Sequence, residues 1–154
     1  MINYGDEMKR KNLQTAFTLY IILMIWLLFI YNRGIPVTNY WEQVSDRLRP
    51  VPFSTIHGLF KALVHYPYPG LWGQILYNIG GNIIMFVPLG FFLCALVDKY
   101  RSFWRCLGAV AVIMTTVELI QLFTLLGQFD VDDLILNLIG AAIGWLAAKM
   151  SDAR

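Results

Sequence analysis

Four long apolar runs, separated by short polar segments, set the pattern of this chain. They lie at about residues 15–31, 76–97, 103–126 and 131–149. At a rise of 1.5 Å per residue, each run is long enough, or nearly so, to cross about 30 Å of hydrocarbon as a helix. Backbone groups cannot go unpaired in lipid, so runs of this length predict helices and not strands. The pattern therefore predicts an all-α polytopic membrane protein with four transmembrane helices, in a single domain over residues 1–154.

Composition supports a membrane protein over a soluble one. The chain is 58% hydrophobic and 14% charged, whereas soluble domains are about 45–50% apolar and about 25% charged. The formal net charge is only +2, and the basic residues lie in short clusters between the apolar runs. That arrangement suits membrane orientation better than nucleic-acid binding, so no nucleic-acid partner is expected.

The distribution of basic residues predicts the orientation. With both termini inside, only four of the 12 Lys and Arg residues fall outside, and they are Arg33, Arg47, Arg49 and Lys61. An excess of basic residues on the cytoplasmic side is typical of membrane proteins, so we predict an N-in, C-in topology. This topology makes residues 32–71 a long extracytoplasmic loop between helices 1 and 2, in which Arg47, Arg49 and His57 are available to lie over acidic residues of the spans.

Polar side chains within the runs gather at one predicted depth, near the outer surface. A carboxylate that faces lipid costs about 2.5–3.5 kcal/mol even on a lenient scale, so these side chains should face one another. Helical spacing of three or four residues places each set on one face of its helix. We therefore predict an outward-facing polar pocket. Its candidate residues are Asn78, Asn82, Glu118, Gln121, Asp130, Asp132, Asp133 and Asn137.

Glycines in two of the runs predict how these helices pack. Gly140-x-x-x-Gly144, with Ala148 beyond, gives the fourth helix a stripe of small residues suited to close packing. The second helix should be irregular because it contains Gly80, Gly81, Pro88 and Gly90.

The chemistry of this predicted pocket has alternatives. Glu118, Asp132 and Asp133 are the candidate catalytic residues if the protein is an enzyme, with Glu118 as acid or base. Glu118, Asp130 and Asp133 offer oxygen ligands for a divalent cation, but no metal-binding motif accompanies them, so no cofactor is predicted. Equally, Asp130 is suited to cap the fourth helix, and the Asn side chains are suited to join helices. No nucleophile motif or phosphate loop is present, which favours a binding protein over an enzyme.

Three sequence motifs in order resemble the VanZ-like family. They are residues 82–90 (NIIMFVPLG), 118–121 (ELIQ) and 129–137 (FDVDDLILN), followed by Gly140. The short element RPVPF at residues 49–53 is also similar to one found before the family's second helix. Two positions depart from the family pattern. Gly127-Gln128 stands where many members have a basic residue, and Leu138 stands where many have Thr.

The resemblance implies a bacterial plasma-membrane protein. The family's founding member is linked to resistance to teicoplanin, a glycopeptide with a lipid tail. We therefore expect a role in envelope-linked resistance through binding of a lipid head group, a drug or a partner. The alternative is a metal-assisted enzyme that acts on a lipid-linked cell-wall precursor or a phospholipid head group. Expected partners are membrane lipids and a lipoglycopeptide or wall precursor, with a homo-oligomer as a further alternative.

Overall fold

A computed structural model describes residues 4–30, 37–65 and 68–152 of the 154-residue chain. The α-helices are α1 (Tyr4–Ile25), α2 (Tyr40–Asp46), α3 (Ser54–His65), α4 (Leu71–Ile75), α5 (Gly81–Leu96), α6 (Phe103–Phe123) and α7 (Val131–Asp152). One π-helical segment, Trp26–Ile30, follows α1, and another, Leu76–Gly80, connects α4 to α5. Two-residue strands β1 and β2 span Leu48–Arg49 and Phe129–Asp130. A 3₁₀ turn, Asp98–Arg101, precedes α6.

Four helical segments are long and apolar enough to cross a membrane, which confirms the predicted fold class. They are Glu7–Ile30, Leu71–Leu96, Phe103–Phe123 and Val131–Ser151, called the first to fourth spans below. The first span is the least buried of the four against the rest of the protein. It therefore presents most of its surface to lipid.

Helix bounds differ from the sequence prediction by a few residues at most ends. The first helix begins at Tyr4 and not near residue 15, so its basic cluster lies on exposed helical turns. Long basic side chains tolerate this position because they can extend toward water. The second begins at Leu71 instead of residue 76, and the fourth continues to Asp152 instead of residue 149. The predicted end of the first helix, at residue 31, lies outside the described residues.

The third helix ends at Phe123 and not at residue 126. Leu125 adopts a left-handed backbone conformation with φ of 57°, which stops an α-helix within a turn. The backbone N–H groups of Leu126 and Gly127 then both donate to the Gln121 carbonyl, at 3.0 and 3.2 Å. This closure turns the chain sharply toward α7 and brings the α6–α7 loop over the end of the bundle.

Small residues allow the second and fourth spans to approach closely. The helices α5 and α7 form the most extensive pair in the described structure. A Cβ atom built on Gly140 would overlap the Ile83 carbonyl oxygen, and one on Gly144 would overlap the Val87 carbonyl oxygen. A Cβ atom on Gly90 would likewise overlap a carbonyl oxygen of α7. We call this contact, centred on Gly90, Gly140 and Gly144, the glycine seam, and it confirms the close packing expected of the small-residue stripe on α7.

The described part of the segment between the first and second spans, residues 37–65 and 68–70, folds back onto the α6–α7 loop, and we call it the outer segment after its predicted orientation. Strand β1 pairs in parallel with β2, and Leu48 lies opposite Phe129 in the register. The Tyr40 hydroxyl donates to the Phe123 carbonyl at 2.8 Å, at the end of α6. These contacts hold α2 and α3 against the same end of the bundle as the predicted polar residues.

Candidate functional site

A pocket of about 760 Å³ lies between the first span, the second span and the α6–α7 loop. Its size falls within the range of about 300–1,000 Å³ that is usual for small-molecule sites. We call it the amphipathic pocket because its walls differ. Apolar side chains of the spans and the loop form one part, namely Leu27, Leu28, Tyr77, Met85, Leu125 and Leu126. Polar side chains form the other, namely Arg47, Asn78, Asn82, Gln121, Gln128 and Asp133.

Both π-helical segments contribute to this pocket. Leu27 and Leu28 come from the segment that ends the first span, and Tyr77 and Asn78 come from the segment within the second span. A π-helical turn changes the direction in which side chains project, and such turns occur frequently at functional sites. The sequence signal was the Gly80-Gly81 pair, which predicted an irregular second helix but not the type of irregularity.

Asn82 and Asp133 join the second and fourth spans at the polar wall. The Asn82 side-chain amide donates to Asp133 Oδ1 at 2.5 Å. The Asp133 side chain is half-buried, and Arg49 lies within electrostatic range of it. Asp133 thus keeps a carboxylate at the pocket surface while one of its oxygens is held by a neighbouring helix.

Asn78 contributes differently from Asn82, although the two are four residues apart. Its side-chain amide donates to the Gln74 carbonyl of its own helix at 2.9 Å. The π-helical segment between them alters the helical spacing, so the four-residue interval does not give them equivalent neighbours. Both nevertheless line the amphipathic pocket.

Gln121 connects the third span to the end of the first. Its Nε2 donates to the Leu28 carbonyl at 2.7 Å. Side-chain hydrogen bonds of this kind join neighbouring helices in a membrane. Gln121 therefore both lines the pocket and fixes the position of its apolar wall.

Arg47, at the end of α2, is the basic residue in the pocket lining, and it binds the α6–α7 loop. Its Nη1 donates to the Leu125 carbonyl at 2.5 Å and to the Gly127 carbonyl at 3.1 Å. The sequence placed Arg47 in the loop available to cover the acidic residues, but it did not identify the groups that Arg47 binds. Its partners are backbone groups about 80 positions away, and no local sequence signal identifies them.

Two of the predicted site residues hold α3 in place instead of lining the pocket. Asp132 accepts hydrogen bonds from the backbone N–H groups of Phe53, Thr55 (2.8 Å) and Ile56 (3.0 Å). Thr55 and Ile56 lie in the first turn of α3 and Phe53 directly precedes the helix, so these N–H groups have no partner within it. Asp132 therefore caps α3 from a different helix, and it is fully buried.

Asp130 likewise accepts hydrogen bonds from two segments, α7 and α3, with its two carboxylate oxygens. Its Oδ1 accepts from the Asp132 backbone N–H at 2.9 Å, which is the N-terminal cap of α7 that the sequence suggested. Its Oδ2 accepts from the Thr55 hydroxyl at 2.6 Å. We call Arg47, Thr55, Asp130 and Asp132 the polar clamp, since their side chains fasten the outer segment to the α6–α7 loop.

Glu118 and Asn137 are buried behind the pocket and do not line it. Glu118 is 3% exposed, and neither of its carboxylate oxygens has a hydrogen-bond partner among the described residues. Asn137 is 2% exposed, and its Oδ1 is likewise without one in that part of the chain. Glu118 lies within electrostatic range of Asp130 and Asp133, so the structure does bring the predicted acidic residues to one end of the bundle.

A site with three acidic ligands is not assembled from these residues. Within residues 4–30, 37–65 and 68–152, no three His, Cys, Asp or Glu side chains are close enough to hold a metal ion. The candidates Glu118, Asp130 and Asp133 therefore do not form such a set, and both oxygens of Asp130 already accept hydrogen bonds. His57 is exposed and does not line the amphipathic pocket.

Comparison with known proteins agrees with the sequence motifs. The model of the VanZ/LLP1 family matches residues 17–152. A relative, named Protein VanZ, from Enterococcus faecium is 29% identical over 129 residues. The alignment covers 82% of this chain and 66% of that relative, so the chain spans about two thirds of its length. No solved structure matches the chain significantly.

Proposed function

Because the chain belongs to the VanZ/LLP1 family and is a multi-pass protein of the bacterial plasma membrane, we propose that it binds the head group of a lipid-tailed molecule in the amphipathic pocket. The family resemblance connects such binding to resistance against lipid-tailed glycopeptides such as teicoplanin. In the N-in, C-in orientation, the pocket opens on the extracytoplasmic side, where these drugs and lipid-linked wall precursors are encountered.

The observation that supports this proposal most is the contrast between the two walls of one pocket. Leu27, Leu28 and Met85 offer an apolar surface for an acyl tail, while Asn82, Gln121 and their polar neighbours offer hydrogen-bonding groups for a head group. A molecule with only polar or only apolar surface would leave one wall unmatched. Tyr77 is 75% exposed, so this side of the pocket is open to surrounding lipid.

The polar wall also limits the chemistry of the ligand. Asp133 is the acidic residue in the lining and Arg47 is the basic one, and Arg47 already donates to two carbonyl groups. The remaining lining groups are amides, which match the amide and hydroxyl groups of a sugar or peptide head group. The enzyme alternative has less support, because Asp132 is engaged by α3 and no three acidic ligands converge among the residues that the structure describes.

Resistance assays with pocket variants test this function. A bacterium that expresses the full chain is compared with variants Leu27→Trp, which fills the apolar wall, and Asp133→Asn, which removes the pocket carboxylate. We expect both variants to lower the minimal inhibitory concentration of teicoplanin to that of the empty strain. A glycopeptide without a lipid tail should show little dependence on any of these proteins, because it does not use the apolar wall.

Two matched variants control for fold and charge. Leu23→Trp places the same ring on an exposed position one turn earlier in the first span, and Asp98→Asn removes an exposed carboxylate outside the pocket. Both should retain wild-type resistance. Full teicoplanin resistance in Leu27→Trp and Asp133→Asn at equal membrane levels would refute the proposed site. Absence of resistance from the wild-type chain would refute the link to the drug.

A further inference from the structure

A second pocket, of about 500 Å³, lies beside the amphipathic pocket on the outer segment. We call it the loop pocket, because β1, α3, α4 and the α6–α7 loop form it. Its polar lining is Arg49, Ser54, Thr55, Gln74, Asn78 and Gln128. Of these, only Asn78 was identified by sequence as a site residue.

Several polar side chains of the loop pocket retain hydrogen-bond donors. Gln74 Oε1 accepts from the Tyr68 hydroxyl, and the Gln74 NH₂ group has no hydrogen-bond partner among the described residues. Arg49 Nη1 donates to Thr55 Oγ1 at 3.4 Å, and a guanidinium has further N–H groups that remain for an anion. The side chains of Ser54 and Gln128 form no hydrogen bond with the described part of the protein.

The charge that the loop pocket presents is positive. Arg49 is the charged residue in its lining, and no carboxylate belongs to the lining. Asp130 and Asp132 lie behind α3, 1% and 0% exposed, and their oxygens accept hydrogen bonds from Thr55 and from backbone N–H groups. These two carboxylates are therefore already matched within the protein. Asp133 lies within electrostatic range of Arg49, but it is outside the lining of this pocket and accepts a hydrogen bond from Asn82, so Arg49 keeps guanidinium N–H groups for an outside anion.

The two pockets share a boundary. Asn78 and Gln128 line both of them, so one molecule can occupy both. We propose that the loop pocket binds an anionic phosphate group through Arg49, Ser54, Gln74 and Gln128. An arginine with several neutral donors suits phosphate oxygens, because charge-assisted hydrogen bonds are stronger than neutral ones.

This inference rests on the proposed function in one respect, namely that a lipid tail occupies the amphipathic pocket. A lipid whose tail enters the amphipathic pocket places its phosphate, next to the tail, at the shared boundary. The phosphate can come from a lipid head group or from free phosphate, and the loop pocket would recognise the same oxygens in either case.

Phosphorus NMR on the purified full-length chain tests the inference. The protein is prepared in a maltoside detergent, which contains no phosphorus, and titrated with short-chain phosphatidylglycerol. We expect saturable broadening of the ³¹P signal, with affinity reduced about tenfold or more by Arg49→Gln, the size expected for one lost charge-assisted bond. Lys61→Gln removes an exposed basic residue of the same segment that lines neither pocket, and it should bind like wild type.

Further arms separate the sources of phosphate and the two proposals. Inorganic phosphate that displaces the lipid at millimolar concentration would identify free phosphate as the ligand, whereas failure to displace it would identify the lipid. Equal weakening of lipid binding by Arg49→Gln and Lys61→Gln would overturn the inference. So would a competition experiment in which a short-chain diacylglycerol, which has no phosphate, binds as tightly as the phosphatidylglycerol. Arg49→Lys should restore part of the binding if the charge matters. Because this assay uses neither drug nor cells, loss of phosphate binding would leave the resistance results for Leu27→Trp and Asp133→Asn intact.

Discussion

The glycine seam and the polar clamp hold this protein together by opposite means. In the seam, Gly90, Gly140 and Gly144 have no side chain, so two spans approach until each glycine faces a backbone carbonyl. In the clamp, Arg47 and Asp132 form directional bonds to backbone groups of distant segments. Lipid is as apolar as a leucine side chain, so burial of apolar groups gives helices in a membrane little reason to associate. The seam thus depends on close packing between two spans, whereas the clamp depends on hydrogen bonds where a loop meets the bundle.

The two non-glycine residues with a left-handed backbone conformation in the described structure both lie at the polar clamp. Of the described non-glycine residues, only Phe53 and Leu125 have a positive φ, of 63° and 57°. Both lie at the clamp: Phe53 donates its N–H to Asp132, and Leu125 receives Arg47 at its carbonyl. Left-handed conformation costs an ordinary residue roughly 1–2 kcal/mol, so it persists only where surrounding bonds fix it.

Breaking the seam should have the largest effect. Gly140→Leu forces a side chain into the Ile83 carbonyl, and overpacking against backbone cannot be relieved by rotating a neighbouring side chain. We expect a loss of at least about 3 kcal/mol and poor accumulation in the membrane. The midpoint of thermal denaturation in detergent, together with the yield of monodisperse protein, measures the effect. Gly108→Leu, in a spanning helix but with open space around it, should be close to neutral, and similar losses in both variants would contradict the seam.

Breaking the clamp should have a smaller and more local effect. Asp132→Ala leaves the first N–H groups of α3 without acceptors, at a cost of about 2–4 kcal/mol for a lost cap and buried unsatisfied donors. Relative to wild type, the amides of Thr55 and Ile56 should exchange hydrogen faster in this variant, while the amides of the glycine seam should not change. Asp98→Ala, which removes an exposed carboxylate at the 3₁₀ turn, serves as the control. Unchanged protection at Thr55 and Ile56 would show that Asp132 is not the cap of α3.

Relieving strain at the clamp should give the smallest effect, with the opposite sign. Phe53→Gly keeps the N–H that donates to Asp132 and replaces an exposed ring with the residue best suited to positive φ. We expect stabilisation of up to about 1 kcal/mol, seen as a small rise in the thermal midpoint in detergent. Phe60→Gly removes an equally exposed ring from an ordinary helical position of α3, and it should instead destabilise the protein. A lower midpoint for Phe53→Gly would show that the ring contributes more than the strain costs.

Sequence pattern predicted the seam well and the clamp poorly. The stripe Gly140-x-x-x-Gly144 follows from helical spacing within one segment, and the structure places it against α5. Asp133 continues the same face, and it contacts Asn82 of the second span as an interhelical partner. These predictions succeeded because they need only the period of one helix and the high cost of polar groups in lipid.

The polar site was predicted as one group of eight residues, and the structure divides it. Asn78, Asn82, Gln121 and Asp133 line the amphipathic pocket, while Asp130 and Asp132 hold the outer segment. Glu118 and Asn137 are buried behind both. Adjacent residues such as Asp132 and Asp133 have the same chemistry, so no sequence pattern could assign them to different tasks.

The sequence by itself determined the four spans, the close-packing stripe and the gathering of polar residues at one end of the bundle. These properties follow from hydrophobic length and helical period, which are local. The tertiary structure alone decided that the outer segment returns to the α6–α7 loop, that β1 pairs with β2, and that Arg47 and Arg49 lie at the two pockets. The physical reason is that these features depend on bonds between residues about 80 positions apart, whose partners are mostly backbone groups that every sequence contains.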